Sequence, residues 1–146
     1  MPTVLLYNVQ DPARRMAVKL CLHRLGLRCR DVSPEEQGHP LGLLLGLEGY
    51  APGEAAETFT EEMLVMHQLS STQFSALLDA LRRENLRIAL KAVVTDTNIA
   101  WSSAKLHREL QAEHAAMQRR GAPVHRKKKA RLGLTLLHKP DTIILF

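Results

Sequence analysis

The chain has 146 residues and a mass of 16.4 kDa; 45% of it is hydrophobic and 24% charged, which suits one domain able to bury a core. Aromatics make up only 4%, so Leu, Val, Ile, Ala and Met must fill that core, and two cysteines, Cys21 and Cys29, exclude a disulfide framework and match no zinc or redox spacing. The net charge of +5 is uneven: 12 Lys and Arg stand against 14 Asp and Glu up to Gln118, and 8 against 1 from Arg119 onward, so the basicity belongs to the C-terminal extension.

The chain opens on a short apolar run, Val4 to Tyr7, which predicts a strand. MPTVLLYNVQ lacks the basic start and long apolar core of a signal peptide. No run approaches the roughly 18 apolar residues of a membrane span. A cytoplasmic location is expected, with both cysteines as free thiols. Asp11-Pro12 reads as an N-cap followed by proline at the first helical position. The helix runs to about Leu25, with Ala13, Met16, Ala17, Leu20, Cys21 and Leu25 as its expected buried face. Gly26 fits the left-handed position after a helix. Leu27 to Val32 alternates imperfectly and predicts a strand at a sheet edge.

Pro34 to Glu62 holds five glycines and three prolines and no Lys or Arg. It exceeds the length of a structureless connection, so it is functional or carries a short helix around His39 to Gly46. The pattern then repeats. Met63 to Met66 predicts a strand, and Ser70-x-x-Gln73 has capping-box form. Phe74, Leu77, Leu78 and Leu81 form a helical stripe, Asn85 stands where Gly26 stood, and Ile88 to Val94 is the most strand-like run. At an offset of 61, Leu20 falls on Leu81, Leu25 on Leu86 and Leu27 on Ile88. Residues 3–33 and 63–95 thus read as two βαβ units, whether or not they arose by duplication. Thr95 to Asn98 is a cluster of capping residues, and a third helix is expected from Ile99 to Arg119, stopped by Gly121-Ala122-Pro123. Residues 1–118 form one domain in this reading, and 119–146 a basic extension whose last residues suit a short strand.

The order predicts an α+β fold: a ferredoxin-like β-α-β-β-α-β sandwich with an added C-terminal helix on the open face or edge of the sheet. A small thioredoxin-like α/β sheet is the alternative.

Several segments together resemble a family. VLLYNV, GHPLGLLLGL, FTEEMLVMHQLSSTQFSALLDALRRENL and LKAVVTDTNIAWSSAKLHRELQAEHAAM look like a bacterial domain-of-unknown-function family (number 3783), over about Thr3 to Met117. The resemblance implies a small bacterial cytoplasmic protein with no assigned activity, so it carries over no catalytic residues. The extension from Arg119 lies outside it.

No serine sits in a nucleophile elbow, neither cysteine has a His partner, and the glycines lack the Lys and Ser/Thr of a phosphate loop. His107 and His114 share a helix face but stand two turns apart, too far to share one metal ion. No catalytic residue, metal or cofactor is therefore assigned, and Glu61-Glu62 reads as a solvated strand end. A ligand site, if present, is expected where two loops leave one sheet: His39 and Gly42 from one, Thr95, Asn98 and Trp101 from the other. Arg119, Arg120, Arg126, Lys127, Lys128, Lys129 and Arg131 place seven cations within thirteen residues, a candidate nonspecific polyanion or nucleic-acid contact. The strands offer Tyr7 as their only aromatic, a poor base-stacking platform, so any such contact runs through the tail. The functional expectation is a non-enzymatic binding or regulatory module that self-associates into a homo-oligomer. The alternatives are polyanion binding through the tail, and a small enzyme using the 38–46 and 95–101 loops.

Overall fold

A computed structural model of the chain describes residues 2–54, 58–119 and 143–144, with side chains described through residue 116. The elements are β1 (Thr3–Tyr7), α1 (Pro12–Arg24), β2 (Arg28–Val32), α2 (Leu41–Leu44), β3 (Met63–His67), α3 (Ser71–Arg83), β4 (Leu90–Val93), α4 (Ser103–Arg119) and the two-residue β5 (Ile143–Ile144). Short 3-10 turns stand at Pro34–Glu36 and Asn98–Ala100.

One mixed sheet runs in the order β2-β1-β3-β4-β5. β1 and β3 pair antiparallel at its centre, with Leu5 opposite Val65. Each is flanked outward by its own parallel partner, β2 beside β1 and β4 beside β3. The centre is where the most apolar strands, TVLLY and MLVMH, belong, because both sheet faces are covered. Val4, Leu6, Leu64 and Met66 face a core with Val18, Leu22, Leu77 and Leu81 from α1 and α3. Leu5, Tyr7, Met63 and Val65 face a second core with Leu41 and Leu44 from α2, Phe59, and Leu106 and Leu110 from α4. β2, with its two arginines and an aspartate, sits at the edge as its poor alternation implied.

The α+β class is as expected, but the strand order is not the split ferredoxin-like one. That arrangement interleaves the two units and joins β2 to β3 through a tight connection. Here residues 33–62 are far too long for a hairpin. Their Leu41, Leu44 and Phe59 are buried against one face of the sheet, and β3 pairs with the edge of β1 that β2 leaves free. Each βαβ unit therefore stays intact.

The two units match more closely than the sequence offset of 61 suggested. The helices correspond at an offset of 59, each 13 residues long. Asp11 and Ser70 cap their starts, accepting from the backbone N–H groups of Arg14 and Gln73. Both ends are closed by the same pair of bonds: Gly26 N–H to His23 and Leu27 N–H to Leu22, then Asn85 N–H to Arg82 and Leu86 N–H to Leu81. Gly26 (φ 74°) and Asn85 (φ 58°) take the left-handed conformation this closure needs. Asn8 (φ 62°) and Gln68 (φ 64°) repeat a second left-handed position just past each central strand.

The buried stripe of α1 is also corrected. Val18, Cys21 and Leu22 are buried, at the positions of Leu77, Ala80 and Leu81, while Ala13, Met16 and Leu20 face outward. The last helix begins later than expected, at Ser103. Trp101 is extended (ψ 151°), and Ser102 caps the helix by accepting from the Lys105 N–H.

Candidate functional site

The structure brings together the two loops singled out in the sequence. Pro40 and Ser102 form an isolated bridge, the Leu41 N–H donates to the Trp101 carbonyl at 2.9 Å, and the Ala104 N–H donates to the Gln37 carbonyl at 3.1 Å. The side chains in this seam hold the loops in shape. His39 Nδ1 accepts from the Gly53 N–H at 3.0 Å. Gly42 lies under the Tyr50 ring, whose nearest carbon would stand 2.4 Å from an added Cβ. Thr95 and Asn98 bond each other reciprocally: Asn98 Oδ1 accepts from the Thr95 N–H and Thr95 Oγ1 from the Asn98 N–H. Asn98, fully buried, also donates to the Val93 carbonyl. Trp101 packs on the core with the Lys105 ammonium 4.6 Å above its ring.

A concavity opens elsewhere. A groove of about 570 Å³ lies between α4 and the starts of β3 and β4, walled by Glu61, Glu62, Arg87, Gln111 and His114 over a floor that includes Leu90. Its geometry follows from the topology. α4 starts beyond the C-terminal end of β4 and runs back across it, so Leu106 and Leu110 join the core and His114 overhangs Leu90. Glu62 is held at the rim by both oxygens, accepting from Arg14 Nε and Nη2 at 2.8 Å each, and Arg14 also reaches the Arg87 carbonyl. Asn8 donates its amide to the carbonyls of Phe59 and Glu61 at 2.9 Å, fixing the approach to β3.

Glu61 leads inward from this rim. One of its oxygens lies 2.9 Å from His107 Nε2, and the Phe59 ring stacks on the imidazole, centroids 4.0 Å apart and planes within 9°. His107 is buried, and that burial holds its imidazole below the ordinary histidine value, although the Glu61 carboxylate pulls the other way. Glu61 is held below the usual carboxylate range by its own backbone N–H and then by His107. The order of exposure is the reverse of a catalytic histidine–carboxylate pair. There the carboxylate is buried behind an imidazole that meets substrate; here the imidazole is buried and half of the Glu61 side chain faces solvent. Beneath it the Tyr7 hydroxyl, fully buried, shares a 2.6 Å hydrogen bond with Ser103, and burial drives its ionisation upward.

Burial also raises both thiols, Cys29 to about 11, as fits unreactive cysteines. Among the described residues no group of three or more His, Cys, Asp or Glu is placed to hold a metal ion, and no helix is long and apolar enough to cross a membrane. Of the basic cluster, Arg120, Arg126, Lys127, Lys128, Lys129, Arg131 and the Arg119 side chain lie outside the described residues. The Glu61–His107 pair and the groove were not singled out by sequence reasoning. Residues 46 apart carried no spacing signal, and Glu61-Glu62 read as a solvated strand end.

No curated protein and no solved structure matches the chain. Residues 62–117 match the model of a family described as Domain of unknown function (DUF3783). The match begins just before β3, so the earlier segments that also suggested the family, VLLYNV and GHPLGLLLGL, lie outside it. The second βαβ unit and the helix that follows it are what this chain shares with DUF3783.

Proposed function

We propose that the protein is a non-enzymatic binding module that self-associates through the outer face of α1. The comparison of its own two halves carries this reading. At equivalent exposed positions of two helices with matching caps and burial, α3 presents Thr72, Ser75 and Asp79, whereas α1 presents Ala13, Met16 and Leu20. Met16 is 66% exposed and Leu20 44%. A solvated helix face carries residues like those of α3; an apolar one at the same structural position is surface that a partner would cover. The ion pair between Lys19 and Asp31 ties this side of α1 to β2, so the apolar face adjoins the free edge of the sheet. A second copy, related by a two-fold axis, would cover both with one self-complementary patch. The inverted exposure of Glu61 and His107, and the use of the loop side chains to tie the seam, favour binding over catalysis.

Light scattering coupled to size exclusion over a range of concentrations tests the proposal. A dimer is expected that becomes monomeric in the Met16→Glu and Leu20→Glu variants, with Ser75→Glu unchanged. A wild-type monomer throughout the range, or a dimer indifferent to both α1 substitutions, overturns it.

A further inference from the structure

The groove between α4 and the starts of β3 and β4 is lined by charges that the surrounding side chains balance unequally. Glu62 is matched, since Arg14 meets both of its oxygens. Glu61 is not. Its carboxylate accepts from its own backbone N–H, from His107 and from Gln111. All three donors are neutral at pH 7, because burial holds the His107 imidazole below its ordinary protonation range. The negative charge is therefore fixed in place without being cancelled, and half of the side chain faces solvent. Arg87 lines the same groove from the approach to β4, and among the described residues no carboxylate pairs with it. Ala89, Leu90 and Ala115 give the lining its apolar part.

We infer that this groove binds a small zwitterion with an apolar body, of the class of the free apolar α-amino acids, with Glu61 taking the ammonium group, Arg87 the carboxylate, and Ala89, Leu90 and Ala115 the side chain. A ligand of one sign suits the groove less well: a simple amine meets the like charge of Arg87, and a simple acid that of Glu61. The volume of about 570 Å³ lies within the range of small-molecule sites, about 300–1,000 Å³. The Glu61 end is preset, because Asn8 fixes the backbone at Phe59 and Glu61 while His107 and Gln111 hold the carboxylate, so little ordering is left for the ligand to impose. A guanidinium is the side chain best shaped to meet a carboxylate with two hydrogen bonds. The inference is independent of self-association through α1, which packs on the opposite face of the sheet from α4.

Nuclear magnetic resonance titrations of the full-length protein with L-leucine and with L-phenylalanine test it. Saturable shifts are expected at the methyl groups of Ala89, Leu90 and Ala115 and at the Gln111 side-chain amide with at least one of the two. No saturable shift at these groups with either amino acid overturns the inference. Each amino acid has a counterpart without the carboxylate, isopentylamine or phenethylamine, and one without the ammonium group, 4-methylpentanoate or 3-phenylpropanoate. Both kinds of counterpart should bind at least about tenfold more weakly, and a counterpart of either kind that binds as tightly as its parent overturns the zwitterion assignment. Glu61→Gln and Arg87→Gln should each weaken binding by about tenfold, with Ser75→Glu unchanged. Wild-type affinity in either groove variant also overturns the inference.

Discussion

At the scale of single residues, the constraint is sharpest where backbone approaches backbone. An added Cβ on Gly53 would stand 2.1 Å from the Gly38 carbonyl oxygen, and the Gly53 N–H is already committed to His39. The Gly38 carbonyl is backbone rather than a flexible side-chain end, so Gly53→Ala should destabilise by about 1–3 kcal/mol, read as a lower urea midpoint at constant m-value. His107 sets a pH dependence. Its folded-state affinity for protons is depressed, chiefly by burial. The unfolded chain therefore takes up the proton first, and stability present above about pH 6.5 is lost as pH falls below it. His67 is depressed by burial in the same direction. Glu61→Gln removes the carboxylate that partly offsets the burial of His107 and should steepen the loss between about pH 6.5 and 5; His107→Gln should flatten it. Urea midpoints measured across this window decide the matter, and three parallel profiles would contradict this account of the pair.

At the scale of elements, α1 shows how a helical pattern misleads. Ala13, Met16, Ala17, Leu20, Cys21 and Leu25 recur at helical spacing and read as one buried stripe; of these Cys21 is buried and Ala17 and Leu25 are partly buried against the core, whereas Val18 and Leu22, outside that stripe, are fully buried and Met16 and Leu20 face outward. Periodicity identifies a helix but not which of two apolar faces meets the sheet. Here the second unit arbitrates. Aligned by its caps at an offset of 59, it puts Val18, Cys21 and Leu22 on Leu77, Ala80 and Leu81. An alignment by apolar matches alone slid two residues, because α1 has apolar residues on both sides. Leu22→Ala should therefore cost about 2–5 kcal/mol, and Met16→Ala no more than about 0.5 kcal/mol, in denaturant titrations at protomer concentrations low enough to keep the chain monomeric. The reverse ranking would put the wrong face on the core. The elements were legible wherever local chemistry defined them: the Asp11-Pro12 start, the Ser70-Gln73 box, the left-handed Gly26 and Asn85. Strand order was not, although the length of residues 33–62 already argued against a hairpin. The Glu61–His107 pair was invisible because only the tertiary fold brings β3's approach under α4. The meeting of the 38–46 and 95–101 loops was legible, since both leave the same sheet, but the Trp101 carbonyl that joins them is a backbone group no motif reports.

At the scale of the whole molecule, the two halves are alike in form and inseparable in packing. The family match covers 62–117, yet that segment does not own its core. β3 lies between β4 and β1, so isolating the segment exposes the hydrogen-bonding edge of Met63–His67. Leu106 and Leu110 lose Leu5, Tyr7, Leu41 and Leu44, and Ser103 loses the Tyr7 hydroxyl. Leu77 and Leu81 lose their neighbours Val18 and Leu22 on the other face, and Glu62 loses Arg14. What remains is a two-stranded parallel sheet with helices whose apolar faces meet little of it, in a length range where even an intact core is marginal. A fragment spanning 62–118 should therefore show a collapsed, poorly dispersed amide spectrum, while the full chain unfolds in one cooperative transition with both halves protected alike against hydrogen exchange. A well-dispersed, cooperatively melting fragment would mean that the second unit folds autonomously and the first is an addition to it. The central Leu5–Val65 pairing, shared by both cores through its neighbours, argues for the opposite: the unit of stability is the pair of halves.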